Sequence, residues 1–85
     1  MSKMETEIKY KDCFSLGVAE SIVSNYFAEE GGNSKIKNER SEYLIGEINP
    51  ISVEILKESK SILLKGEDKT KFNELEKKLN SVNED

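Results

Sequence analysis

The sequence predicts a small α+β domain, in which an antiparallel sheet of three to four strands packs with two helices in the order β-α-(β)-β-β-β-α. Three observations predict this fold class. Met4 to Lys11 alternates apolar and polar residues, two longer segments repeat apolar residues every three or four positions, and short aliphatic runs lie between residues 43 and 66. The 85 residues are enough for a single domain, 1–85, with a modest core.

The first helix is expected from about residue 14 to 30. Asp12 precedes it and is suited to be its N-cap, because a carboxylate can accept the free amides of a first helical turn. Gly31 and Gly32 are expected to end it, because glycine adopts the left-handed conformation of a helix C-cap. Apolar residues at four-residue spacing form a broad stripe along the helix. They are Phe14, Val18, Ile22 and Tyr26, widened by Ala19, Val23 and Phe27.

The middle of the chain is expected to supply the rest of the sheet. Residues 33–42 are almost wholly polar, and we expect them to form a mobile loop or a weak edge strand. Asn49-Pro50 favours a turn, and residues 58–60 are expected to turn a hairpin. Strands are therefore predicted at 43–48, 51–57 and 61–66.

A second helix is expected near the end of the chain. Asp68 or Thr70 can cap it, and its apolar residues recur at spacings of three, four and three, which places them on one stripe. These residues are Phe72, Leu75, Leu79 and Val82. Residues 83–85 are expected to be a frayed tail.

The predicted strands carry apolar residues on both sides, which is unusual for a small sheet with helices on one face. Leu56 should face away from Ile51, Val53 and Ile55, because successive side chains of a strand point to opposite faces. Leu63 should likewise face away from its neighbours. With only two helices available, we expect a partner protein to cover the second face: a second copy or a paralogous subunit in a dimer, or a larger protein. The candidate interface residues are Tyr43, Ile45, Leu56 and Leu63.

Charge and cysteine usage limit the classes of partner. The net charge of −4 argues against direct nucleic-acid binding on bulk charge. We expect no membrane partner, because no apolar run approaches the length of a span. The single cysteine, Cys13, and the absence of an export signal favour the cytoplasm. Cys13 itself is interpreted as a small buried residue, or alternatively as a thiol whose pKa is lowered at a helix start.

Catalytic residues are not expected. The chain has no histidine and one cysteine, which excludes a Ser-His-Asp or Cys-His site within it and a tetrahedral zinc site. Carboxylate pairs such as Glu29 and Glu30 match no calcium loop. We therefore predict a protein that is not an enzyme and has no catalytic, cofactor-binding or metal-binding residues.

One family resemblance rests on the segment from Val53 to Asp68. Its strand, basic turn and aliphatic strand ending in an acid before the last helix resemble the small dimerising subunits of the KEOPS tRNA-modifying complex. The strand at Thr6 to Tyr10 and the long helix that follows it are similar in order. The resemblance implies a non-catalytic subunit that pairs through its sheet edges and docks its helices on a catalytic subunit.

Two functions are compatible with these observations. The first is a non-catalytic protein-interaction subunit that dimerises and supports a larger assembly, for which the resemblance implies the KEOPS tRNA threonylcarbamoyl-adenosine complex. The alternative is a small phage or mobile-element inhibitor or regulator that binds a host protein. That alternative would use the acidic Glu29 and Glu30 together with an adaptable loop at 33–42.

Overall fold

The computed structural model describes residues 3–37, 40–46 and 50–84, without the side chains of residues 35–37 and 45. The predicted α+β class is confirmed, but the antiparallel sheet has five strands rather than three or four. In chain order the elements are β1 (Met4–Lys9), α1 (Cys13–Glu29), β2 (Asn33–Lys37), β3 (Arg40–Ile45), β4 (Ile51–Leu56), β5 (Ser61–Gly66), α2 (Lys69–Ser81) and a 3-10 turn (Val82–Glu84).

The strands lie in the order β1-β5-β4-β3-β2, with every neighbouring pair antiparallel. Strands β2 to β5 form a meander, and β1 adds to the far side of β5. Helix α1 connects β1 to β2, which are the two edges of the sheet. It therefore has to cross the whole width of the sheet.

Two expectations about irregular segments change. Of the two interpretations of residues 33–42, the structure has the edge strand: β2 covers Asn33–Lys37 and β3 begins at Arg40, while residues 38 and 39 lie outside the described part. The strand predicted at 43–48 is β3, displaced toward the N-terminus, and residues 47–49 are not described. The tail expected to fray at residues 83–85 overlaps the 3-10 turn of Val82–Glu84, and residue 85 lies outside the described part. In that turn Asn83 Nδ2 donates to the Lys9 carbonyl oxygen at 3.0 Å.

The core lies on one face of the sheet. Along β4, Ile51, Val53 and Ile55 have no exposed surface, whereas Ser52, Glu54 and Leu56 between them are half-buried. The inward residues of both helices belong to the same core cluster as these β4 residues. Both helices therefore cover the same face, and the opposite one, here called the open face, carries no helix of the described chain.

Specific contacts tie the helices to the sheet. Phe27 of α1 meets Tyr43 of β3 edge-to-face at 5.4 Å between ring centroids. The buried Tyr10 hydroxyl donates to the Leu79 carbonyl oxygen of α2 at 3.0 Å, so its polar end is satisfied. Burial raises the pKa of Tyr10 to about 12. No helix of the described chain is both long and apolar enough to cross a membrane.

An aspartate side chain caps the N-terminal end of each helix. Asp12 caps α1 by accepting the Ser15 amide at 2.8 Å, and this hydrogen bond lowers the pKa of the Asp12 carboxyl. Asp68, rather than Thr70, caps α2 by accepting the Lys71 amide at 3.1 Å. Both aspartates satisfy amides that a helix leaves free at its start.

Close packing requires glycine at the end of β5. A Cβ added to Gly66 would collide with Ile51 Cδ1 and lie 3.2 Å from the Pro50 carbonyl oxygen. Ile51 is fully buried, so it has little room to move away.

Candidate functional site

The open face of the sheet contains two of the four predicted interface residues. Leu56 and Leu63 are half-buried and lie on the side opposite the core, as strand alternation predicted. Leu63 stands across from Glu54 on β4 and from Glu7 on β1, while Leu56 stands across from Ser61. Each leucine is therefore bordered by polar neighbours.

Tyr43, a third predicted interface residue, does not extend this surface. Tyr43 is buried in the core against Phe27 and is 7% exposed. Burial also raises the pKa of its hydroxyl. The side chain of Ile45 lies outside the description. Tyr43 is thus on the face opposite Leu56 and Leu63, and the four residues do not form one surface.

Leu44 belongs to the open face, although the sequence analysis did not single it out. It is 47% exposed and pairs with Ser52. A cleft of about 640 Å³ lies beside it, bordered by Glu42 and Glu54, which are cross-strand partners. Single leucines among charged residues are typical of the solvated face of an antiparallel sheet, so the open face by itself does not require a partner.

Helix α1 differs from the open face, because nearly every side of the helix is uncharged. The chain as a whole is 35% charged, yet the stretch from Cys13 to Ala28 contains one charged residue, Glu20. That carboxylate accepts a hydrogen bond from the Ser41 hydroxyl of β3 at 3.3 Å, so it is directed toward the sheet. The exposed side of α1 is uncharged but partly polar, because Ser21 and Asn25 lie on it.

The side of α1 that faces the sheet differs from the predicted stripe. The helix buries Leu16, Ala19, Val23, Tyr26 and Phe27, whereas Phe14 is 81% exposed and Val18 is 39% exposed. We call the exposed, uncharged ridge that remains the outer surface of α1. It consists of Phe14, Gly17, Val18, Ser21, Asn25 and Ala28.

The apolar part of the outer surface borders a cleft of about 400 Å³ beside the end of α2. Phe14, Val18 and the half-buried Ile22 line one wall, and Val82 lines another. Lys11, Asp12 and Ser81 line the same cleft, so the exposed Phe14 ring borders a concavity of mixed polarity. We take this edge as the candidate interaction site. The sequence did contain a signal for it: the apolar stripe of α1 is wider than one helix face needs.

Small residues lie beside this apolar edge. A Cβ added to Gly17 would meet nothing within 4 Å, so nothing in the described chain requires glycine there. Glycine inside a helix costs about 1 kcal/mol relative to alanine. Ser21, one turn later, is exposed and donates to the Gly17 carbonyl oxygen at 3.2 Å. Cys13 is also exposed, so its interpretation as a buried residue was wrong.

The charges of α1 are concentrated at its C-terminal end. Glu29 and Glu30 both lie near the negative end of the helix dipole, which disfavours carboxylates. Glu30 pairs with Lys71 of α2 at 2.7 Å, and this hydrogen bond raises the pKa of Lys71. Within the described residues Glu29 has no ion-pair partner closer than 4.0 Å.

Neither the metal-binding side chains of the described residues nor the comparisons with known proteins indicate a further site. Among the described residues, no group of three or more Cys, Asp or Glu side chains is arranged to hold a metal ion. The chain matches no protein-family model, and neither the curated proteins nor the solved structures include a significant match to it.

Proposed function

We propose that the protein is a non-catalytic subunit that binds another protein chain through the outer surface of α1. One observation carries the proposal. In a chain rich in charge, a 17-residue helix presents an exposed ridge without a charged residue, and that ridge begins with an aromatic ring that is 81% exposed.

The chemistry of this surface favours a protein over other partners. Burying a phenylalanine side chain contributes about 1.5–3 kcal/mol, so Phe14 can anchor an interface. A helix that lies on a membrane normally carries Lys and Arg along its polar face. Cys13 to Ala28 contains neither, and the net charge of −4 disfavours anionic lipid and nucleic acid alike.

The wider assignments stay predictions. A place in the KEOPS tRNA-modifying complex, with docking by the helices, is compatible with a binding surface on α1, and we propose the cytoplasm as the compartment. The alternative of a phage or mobile-element inhibitor was argued from an adaptable loop at 33–42. Since β2 and β3 occupy most of that segment, this alternative has less support.

The test is site-specific photo-crosslinking of the full chain in the cells that naturally produce it. A photoreactive residue at Val18 should give a discrete adduct, whereas the same residue at Lys77, exposed on α2, should give none. Adding Phe14→Ser to the Val18 probe should remove the adduct. If both probes give no adduct, or the same adducts, α1 is not the binding surface.

A further inference from the structure

We infer that the partner of α1 carries an acidic segment, which lies along a basic surface at one end of the sheet. The inference rests on the proposed function, because it states the chemistry of the same partner. We call this surface the basic end. It consists of Lys9, Lys11, Arg40, Lys57 and Lys60.

The pairing of the strands brings the basic residues together. Arg40 on β3 stands across from Leu56 on β4, and Lys9 on β1 stands across from Ser61 on β5. Leu56 and Ser61 are themselves cross-strand partners, so Arg40 and Lys9 lie on the same face, in one row across four strands. Neighbouring strands are about 4.8 Å apart, which puts the two backbones about 14 Å from each other.

The turn between β4 and β5 adds two lysines at the end of this row. Lys57 and Lys60 lie in that turn, and the Tyr10 amide donates to the Lys60 carbonyl oxygen at 2.9 Å. Lys11 follows Tyr10 directly. The pKa of the Asp12 carboxyl is lowered by its capping hydrogen bond and then by the charges of Lys11 and Lys60, so both lysines lie near the start of α1.

The positive charge of the basic end is not neutralised within the described part of the chain. Four of its five residues are exposed, and Lys60 is half-buried. Among the described residues, none of the five has a carboxylate oxygen within 4.0 Å of its side-chain nitrogen atoms. Asp12 and Glu58 lie among them, and Asp12 is engaged as the cap of α1. A local surplus of positive charge therefore remains on a chain that is negative as a whole.

A row of acids confines this positive surface to the end of the sheet. Glu42, Glu54 and Glu7 form the next row of the open face, about 7 Å further along the strands. An acidic segment would be repelled by that row and attracted along the line from Arg40 to Lys9. About four to five extended residues, at about 3.3 Å each, span this line.

Lys11 connects the basic end to the outer surface of α1. It lines the same cleft as Phe14 and Val18. A partner side chain that fills this cleft would therefore continue into residues beside Lys11 and Lys60. We expect the partner segment to carry an apolar residue flanked by Asp or Glu.

A protein segment fits this arrangement better than a nucleic acid does. Duplex DNA carries one negative charge per about 1.7 Å over its whole length, so the acidic row and the net charge of −4 would repel most of it. A short acidic segment meets only the basic end, because charges further away than about 8–10 Å are largely screened.

Lys60 offers a variant that separates binding from folding. Its φ is 53°, in the left-handed region that glycine adopts without strain. Lys60→Gly should therefore raise the Tm of the single chain while it weakens partner binding. A loss of binding in this variant could not be the result of unfolding.

The first experiment measures the yield of the Val18 photo-adduct, with the full chain in an extract of the cells that produce it. The yield should fall about threefold with Lys60→Gly and about tenfold with Arg40→Gln/Lys57→Gln, because exposed charge pairs contribute modestly and in parallel. Raising the ionic strength from about 0.05 M to about 0.5 M should lower the yield of the otherwise unchanged chain as well.

The matched control is Lys69→Gln/Lys77→Gln, which removes the same net charge from exposed positions of α2 and should leave the yield unchanged. A yield that stays the same in Lys60→Gly and at high salt would overturn the acidic segment while the proposed function stands. If Val18 gives no adduct under any condition, the proposed function fails and the inference fails with it.

The second experiment measures the binding of fluorescent ligands to the purified chain by anisotropy. A peptide with one leucine among glutamates should bind, and Lys60→Gly should weaken its binding. The same peptide with lysines in place of the glutamates should not bind. Equal binding of the two peptides, or tighter binding of a short oligothymidylate, would overturn an acidic protein segment as the ligand.

Discussion

Replacing Gly17 by alanine should change folding stability and partner binding in opposite directions. The added methyl group meets no atom within 4 Å, and the residue lies on the exposed side of α1. Within one chain the substitution therefore removes only the conformational cost of glycine. In the proposed complex it adds a methyl group to the surface that contacts the partner.

The magnitude follows from helix propensity. Alanine is favoured over glycine by about 0.8–1.0 kcal/mol inside a helix. No clash reduces this gain, so we expect the free energy of unfolding of the monomer to rise by about 1 kcal/mol. For a domain of this size, that corresponds to an increase in Tm of about 4–8 °C.

The assay measures each effect under conditions where the other is absent. Thermal and urea unfolding at high dilution report on the single chain, and the yield of the Val18 photo-adduct reports on partner binding. A Tm that falls at high dilution would mean that Gly17 serves the fold of the single chain. An unchanged yield of the Val18 photo-adduct would mean that Gly17 does not contact the partner.

Four further substitutions test the packing of the domain. Phe72→Ala should cost about 3–5 kcal/mol of unfolding free energy, because Phe72 is only 4% exposed. Phe14→Ala should change the stability of the single chain by less than about 0.5 kcal/mol, because Phe14 is exposed. Equal effects of the two substitutions in urea denaturation would contradict the assigned side of α1. Gly66→Ala should cost about 1–3 kcal/mol, because its Cβ would collide with Ile51, and an unchanged Tm would show that the site can relax. The contribution of Tyr10 to the free energy of unfolding should be full below pH 10 and fall as pH rises toward 12, because the pKa of Tyr10 is raised to about 12 in the folded chain. Unfolding curves at alkaline pH should show a smaller loss of stability for Tyr10→Phe.

Local features of the fold could be predicted because their physics lies within a few residues. Asp12 and Asp68 cap their helices through amides three positions away. Gly31, at φ 74°, follows α1 in the left-handed conformation that ends helices. The opposite orientation of Leu56 and Leu63 from the core follows from alternation along a strand.

The edge strand was harder to predict, because a polar segment gains little from burial. β2 has almost no apolar residues and is held by antiparallel pairing with β3, from Asn33 opposite Leu44 to Lys37 opposite Arg40. Backbone pairing of this kind depends on a neighbouring strand and leaves little trace in composition. The sequence could therefore only leave loop and strand as alternatives.

The sequence by itself determined the fold class, the two helices with their caps, and an α1 that is almost free of charge. Only the tertiary structure decided which side of α1 faces the sheet. Because the apolar residues of α1 spread over more than one side, its periodicity selects no single face. The choice of face comes from distant partners. Phe27 packs on Tyr43 and Glu20 bonds to Ser41, both on β3. Those contacts turn Phe14 and Val18 outward, and so create the surface on which the proposed function rests.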